Sequence, residues 1–159
     1  MDIIDGKLLS KVQYRIITEQ SFNAISVIEY LSKFHQLSEI YVAVYRMNQR
    51  SVNKLINFID DKNIKCNILL SSFFRENKKY EKWSKDLIMY SARKNNTKVS
   101  YAWNHAKVFL AKTKCNRYIV FEGSGNLSDN ARIEQYIIED NKITYDFHKN
   151  WIDNILNKK

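Results

Sequence analysis

The chain has 159 residues, 45% hydrophobic and 13% aromatic, which is ample for a substantial core and excludes a disordered chain. Its 26 Lys and Arg against 17 Asp and Glu give a formal charge of +9, which favours a polyanionic partner, nucleic acid before an anionic membrane. No apolar run approaches the ~20 residues of a membrane span, and Met1–Asp5 lacks the basic and apolar regions of a signal peptide, so the expectation is one soluble, cytoplasmic domain over 1–159.

Abundant Asn, Ile and Lys offer a competing source for the charge, a coding bias rather than a partner. The two cysteines, Cys66 and Cys115, sit in strand-like apolar runs without zinc-ligand spacing. They are expected as buried free thiols, as a reducing compartment allows. No metal and no cofactor are expected.

In chain order, Val12–Ile17 reads as a strand. Thr18 or Ser21 is placed to cap a helix running to about Phe34, with Phe22, Ile25, Ile28 and Leu31 on one face. Tyr41–Tyr45 has the β-branched and aromatic character of a strand. Val52, Leu55, Ile56 and Ile59 form the stripe of a second helix, followed by a strand over Cys66–Leu70. Tyr80, Trp83, Leu87 and Tyr90 are spaced by 3 and 4, as in a helix. The remainder is β-rich: Val99–Trp103, His105–Ala111, Arg117–Phe121 and Ile133–Glu139 read as strands. A last helix carries Tyr145, His148, Trp151, Ile152 and Ile155 on its inner face. Strands alternating with helices, then closely spaced strands, give an α/β fold with a mixed β-sheet flanked by helices. Proline is absent, and no linker or internal repeat stands out.

Chemistry concentrates between residues 105 and 134. Of only three glycines and three histidines, two glycines fall in Gly123-Ser124-Gly125-Asn126 and one histidine in His105-Ala106-Lys107. On a strand, His105, Lys107 and Phe109 share a face. An imidazole can attack phosphorus or carry a proton, and an adjacent ammonium can hold a non-bridging phosphate oxygen. The glycines let backbone approach an anion, while Ser124 and Asn126 add neutral donors. A carboxylate at Glu134 can orient the imidazole and stabilise its cation. His105, Lys107, Asn126 and Glu134 are thus the candidate catalytic residues, with Lys107, Ser124 and Asn126 binding phosphate. Glu122 competes with Glu134 but reads better as structural, as do His35 and His148.

These residues resemble the signature of the phospholipase D superfamily: His-x-Lys, four residues, Asp, six residues, then Gly-Ser-x-Asn. His105-Ala106-Lys107 and Gly123-Ser124-Gly125-Asn126 match its two ends, and the strand–helix order looks like one half of the usual two-motif enzyme. The signature's Asp falls on Lys112, and the Lys-to-Gly spacing is four residues longer, which fits a longer turn over 112–116. In that family the Asp is mainly a structural partner, and one branch, the tyrosyl-DNA phosphodiesterases, lacks it.

The resemblance implies a phospholipase D-like half-domain that cleaves phosphodiesters without metal through a phosphohistidine. The family's chemistry needs two histidines, so a one-motif chain implies a homodimer with both His105 side chains at one phosphate. The basic surface makes nucleic acid the expected substrate. Two alternatives stand beside this nuclease reading: a catalytically weakened nucleic-acid-binding module of the same fold, and a phospholipid hydrolase or transferase. A structural or accessory dimerisation unit is a further possibility. Trp103 and Tyr101, in strand phase with His105, are candidates for stacking on bases. Lys112, Lys114 and Arg117 are candidates for nucleic-acid contact because they lie near the motif strands. Arg75, Lys78, Lys79, Lys82 and Lys85 form a possible phosphate-tracking face.

Overall fold

The structure, a computed structural model, describes residues 12–19, 23–128 and 132–158. Seven strands and five helices follow in the order β1 (Gln13–Thr18), α1 (Ile25–Phe34), β2 (Leu37–Val44), α2 (Gln49–Lys62), β3 (Lys65–Ser71), α3 (Ser72–Glu76), α4 (Glu81–Ala92), β4 (Thr97–Ala102), β5 (Lys107–Thr113), β6 (Tyr118–Gly123), β7 (Glu134–Asp140) and α5 (Lys142–Leu156). The strands form one mixed sheet in the order β1-β7-β6-β5-β2-β3-β4. β2, β3 and β4 run parallel, joined by crossovers that carry α2, α3 and α4. β5, β6, β7 and β1 are antiparallel to their neighbours.

The sheet is covered on both faces because its central strands are apolar on both. Residues 40–44 of β2 and 66–70 of β3 are all buried without alternation, and all but Asn67 are apolar, as expected for parallel strands between helical layers. One face packs Ile40, Val42, Val44, Ile68, Leu70, Phe109 and Phe121 against α1, α2 and α4. The other packs Tyr41, Ala43, Leu69, Val108 and Val120 against Tyr145 and Ile152 of α5. Asn141 caps α5, its side-chain oxygen accepting from the N–H groups of Ile143 and Thr144. Further along α5, the Tyr41 hydroxyl lies 3.2 Å from Asp153.

All seven expected strands and all four expected helices are present, with shifted ends. The differences have local causes. Thr18 does not cap α1 but closes β1, paired with Glu134; Ser21 and Phe22 lie outside the described residues. The first helical N–H, that of Ile25, is instead accepted by Asn23 Oδ1 at 3.3 Å. α3 is too short for a periodic pattern to announce; Ser71 Oγ accepts the Phe73 N–H at its start. Cys66 is buried in β3, where burial pushes its thiol well up, whereas Cys115 is exposed in the β5–β6 turn, contrary to the expectation of burial. The apolar run that suggested burial ends at Thr113, where the chain turns through Asn116 at φ 60°. Among the described residues, no helix is long and apolar enough to cross a membrane.

Candidate active site

The carboxyl ends of parallel strands are where an α/β sheet opens a crevice. Here β2, β3 and β4 end at Val44, Ser71 and Ala102, and the chain turns through 103–106 into β5. His105 therefore lies in a turn and not on a strand, so the shared-face argument from strand phase does not apply to it. Asn104 builds this turn. Its Nδ2 donates to the carbonyls of Val44 and Leu69, both at 3.3 Å, and its Oδ1 accepts the Ala106 N–H at 2.8 Å. One amide thus ties the histidine turn to the ends of β2 and β3. Sequence reading passed over Asn104; an Asn directly before the key histidine is a turn signal that could have found it.

The structure does bring His105 and Lys107 together. Lys107 Nζ lies 2.9 Å from His105 Nδ1 and 2.8 Å from the His105 carbonyl oxygen. Burial holds the Lys107 ammonium below its ordinary pKa, and the negative charge of Glu134 opposes that shift. The Tyr45 ring packs on the His105 ring, centroids 4.8 Å apart.

Across the cleft, β6 ends in the glycine turn. The Ser124 hydroxyl donates to Glu134 Oε2 and accepts the Gln135 N–H at 3.1 Å. Its proton is therefore committed to Glu134, and Ser124 buttresses that carboxylate here. Glu134 is buried at 8% exposure; the Tyr136 phenol is pushed up to about 12, first by its own burial and second by the Glu134 charge. Asn126 Oδ1 accepts the Arg46 N–H at 3.3 Å, and the Leu127 carbonyl accepts the Asn48 N–H at 3.0 Å, so the turn is sewn to the loop after β2. The two glycines serve a tighter purpose than backbone freedom. A Cβ on Gly123 would lie 2.2 Å from the Gln135 carbonyl oxygen, and one on Gly125 would lie 1.8 Å from the Tyr136 hydroxyl. They make room for β7 and its tyrosine. Together these elements border an open cleft of about 930 Å³ lined by His105, Lys107, Glu122, Ser124, Gln135 and Tyr136, among others.

The remaining candidates divide. Trp103 stands at the cleft end of β4, 82% exposed. Tyr101 is held inside: its hydroxyl donates to the Ser84 carbonyl at 3.2 Å and accepts from Ser84 Oγ at 2.7 Å. Lys112, Lys114 and Arg117 lie at the opposite end of β5 from His105, about 20 Å away for a strand of seven residues. Nearness in sequence misleads because the β5–β6 hairpin carries them to the far edge. There Lys112 sits over the Tyr118 ring, and Arg117 pairs with Asp140 at 2.9 Å. The basic series from Arg75 to Lys85 is split between α3, a turn and α4, with Arg75 over the Tyr101 ring and Lys85 paired with Glu81. Glu122 and His148 satisfy each other: His148 Nε2 lies 3.1 Å from Glu122 Oε2, and its Nδ1 accepts from Trp151 at 3.1 Å. Among the described residues, no group of three or more His, Cys, Asp and Glu could hold a metal ion.

No family model and no curated protein matches the chain by sequence. Solved structures do match by fold. NucT from Helicobacter pylori is 21% identical with a TM-score of 0.62, over 91% of this chain and 96% of that one. Nuc from Salmonella typhimurium, a phospholipase D family member, is 10% identical with a TM-score of 0.63, over 92% and 95%. TrmBL2, an archaeal chromatin protein with a novel mode of DNA binding, is 12% identical with a TM-score of 0.62, over 96% of this chain and 53% of that one. The seven-stranded mixed sheet, its helical layers and these likenesses agree: the chain has the phospholipase D fold.

Proposed function

We propose that the chain is a phosphodiesterase that cleaves nucleic acid with His105 as nucleophile. The observation that carries this is the contact of the His105 imidazole with the Lys107 ammonium, in a cleft whose lining also includes Ser124, itself bonded to the buried Glu134. An ammonium only donates, so Lys107 at Nδ1 leaves the imidazole proton on Nε2. Attack needs the reverse. A phosphate oxygen entering the cleft draws Lys107 towards itself; the exposed imidazole then takes a proton from water at Nδ1 and loses one to water from Nε2, so that Nδ1–H faces a carboxylate, for which Glu134 is the candidate. Nε2 attacks phosphorus, a P–N bond forms, and the P–O bond to the leaving strand breaks. The leaving oxygen takes a proton from a second imidazole. Water then attacks phosphorus, returns a proton to that imidazole and releases His105. One chain supplies one such motif, so the second imidazole is the His105 of another copy. The +9 charge supports nucleic acid as the substrate, and the fold shared with Nuc, a phospholipase D family member, supports phosphodiester chemistry.

One observation favours a second reading. The signature's Asp position holds Lys112, and TrmBL2 joins this fold to DNA binding, so a binding module without turnover is the competitor. The deciding experiment is cleavage of labelled single- and double-stranded DNA in excess EDTA, comparing wild type with His105→Ala. Cleavage by wild type alone supports the histidine phosphodiesterase. Salt-sensitive binding without cleavage by either protein favours the binding module. Equal cleavage by both would overturn the site assignment.

A further inference from the structure

The aromatic side chains around His105 are arranged for more than packing. Tyr45, immediately after β2, lies against the His105 ring with centroids 4.8 Å apart. On Tyr45 stacks Phe73 of α3, centroids 5.4 Å apart and planes 14° from parallel. Both rings are only half-buried. Trp103, two residues before His105, is 82% exposed at the same edge of the sheet. An indole left this open, two residues before the cleft-lining His105, forgoes the burial that normally places tryptophan in a core.

Cationic groups border these rings. Arg75, one helical half-turn beyond Phe73, stacks its guanidinium over the Tyr101 ring at 5.5 Å. Arg46 follows Tyr45 directly and is tied by its N–H to Asn126 of the glycine turn. The side chains of Arg46 and of Arg50, at the start of α2, enter no ion pair among the described residues. The edge thus joins apolar ring surface, the unpaired guanidinium groups of Arg46 and Arg50, the Arg75 guanidinium that pairs with Glu76 at 3.7 Å, and the candidate nucleophile.

We infer that Trp103, together with the Tyr45–Phe73 pair that lies against His105, is a stacking platform that makes the site select single-stranded nucleic acid. The physical reason is access. In a duplex both faces of every base are occupied by neighbouring bases, whereas a single strand can turn a base out onto an aromatic ring. Stacking uses a face that every base has, so the selection is by strandedness with little sequence preference. The inference rests on the nucleic-acid reading of the site, and it assigns the strandedness that this reading leaves open.

The test compares wild type and Trp103→Ala on three ligands of equal length: oligo(dT), an abasic oligonucleotide and a hairpin duplex. Binding is read by tryptophan fluorescence within seconds of mixing, and by anisotropy of labelled ligand; cleavage is followed separately. Wild type should bind oligo(dT) more tightly than the other two, with quenched fluorescence. Trp103→Ala should lose most of that quenching and weaken oligo(dT) binding roughly 5- to 150-fold, while changing abasic binding little. An 82%-exposed side chain contributes little to the core, so the variant should keep its melting temperature. Phe73→Leu, which keeps apolar volume but removes the ring behind Tyr45, should weaken oligo(dT) binding in the same direction. Equal oligo(dT) binding by wild type and Trp103→Ala overturns the platform, as does wild type binding abasic or duplex ligand as tightly as oligo(dT). With His105-dependent cleavage intact, either result leaves the phosphodiesterase reading standing. Base-dependent binding without cleavage does the opposite, and no binding to any ligand overturns both.

Discussion

At the scale of single residues, the site is governed by how a lysine, a histidine and a glutamate share charge. Lys107 loses hydration where it sits, which disfavours its ammonium form, and the Glu134 carboxylate favours that form. The net shift is downwards from 10.5, so the ammonium is present below its lowered pKa and is lost as pH rises through it. Phosphate holding should therefore fade on the alkaline side earlier than for an ordinary lysine. Glu134→Gln removes the charge that opposes the shift, so its alkaline limb should move to still lower pH. The kcat/KM profile of cleavage reads this directly. Alkaline limbs that coincide in wild type and Glu134→Gln would show that the two groups are not coupled. This change is distinct from the loss of turnover expected for His105→Ala, which removes the nucleophile itself.

At the scale of elements, the β6–turn–β7 unit shows why two of three glycines lie in four residues. Gly123 is pressed against the backbone of the paired strand, at the Gln135 carbonyl, and Gly125 against the tip of the Tyr136 side chain. Tyr136 itself stacks on Phe121 inside the core, centroids 4.8 Å apart, so it has little room to retreat. Either Gly→Ala change overpacks the unit, at a cost of about 1–3 kcal/mol. The two should differ in remedy. Tyr136→Phe deletes the hydroxyl that a Cβ at position 125 would strike, and should recover part of the Gly125→Ala loss. It leaves the backbone oxygen facing position 123, so Gly123→Ala should gain nothing. A double-mutant cycle on melting temperatures measures the difference, with each kcal/mol worth about 2–4 °C in a chain of this size. Equal recovery of both variants would show that the tyrosine hydroxyl is not the obstacle.

At the scale of the whole molecule, the fold presents one His105–Lys107 pair at one end of the sheet, while the proposed reaction needs two imidazoles. A two-fold pair of chains satisfies that need with a single gene product, each copy giving and receiving the same residue. Light scattering at micromolar concentration should give twice the chain mass. A monomer under these conditions, with cleavage retained, would show that the second proton carrier lies within one chain. The +9 charge also has a consequence: oligonucleotide affinity should fall steeply with salt, because each phosphate contact releases counterions.

The sequence by itself determined the number of strands and their succession along the chain, the four longer helices and the segments that meet at the cleft. Each of these is written in side-chain period or in short contiguous motifs, which need only local geometry. His148 was legible as a satisfied histidine because its aromatic helix face is also local, and it does bond Trp151 three residues on. What only the tertiary structure decided involves residues far apart in the chain. β5 inserts between β6 and β2, and this sheet order sets Tyr45 against His105, sixty residues later. It lets Asn104 bind the ends of β2 and β3, and carries Lys112, Lys114 and Arg117 to the far edge although they follow the motif closely. It also reveals that the glycines yield space to Tyr136. Local pattern specifies which face a side chain takes; which distant face it meets follows from strand order, which no short window of sequence contains.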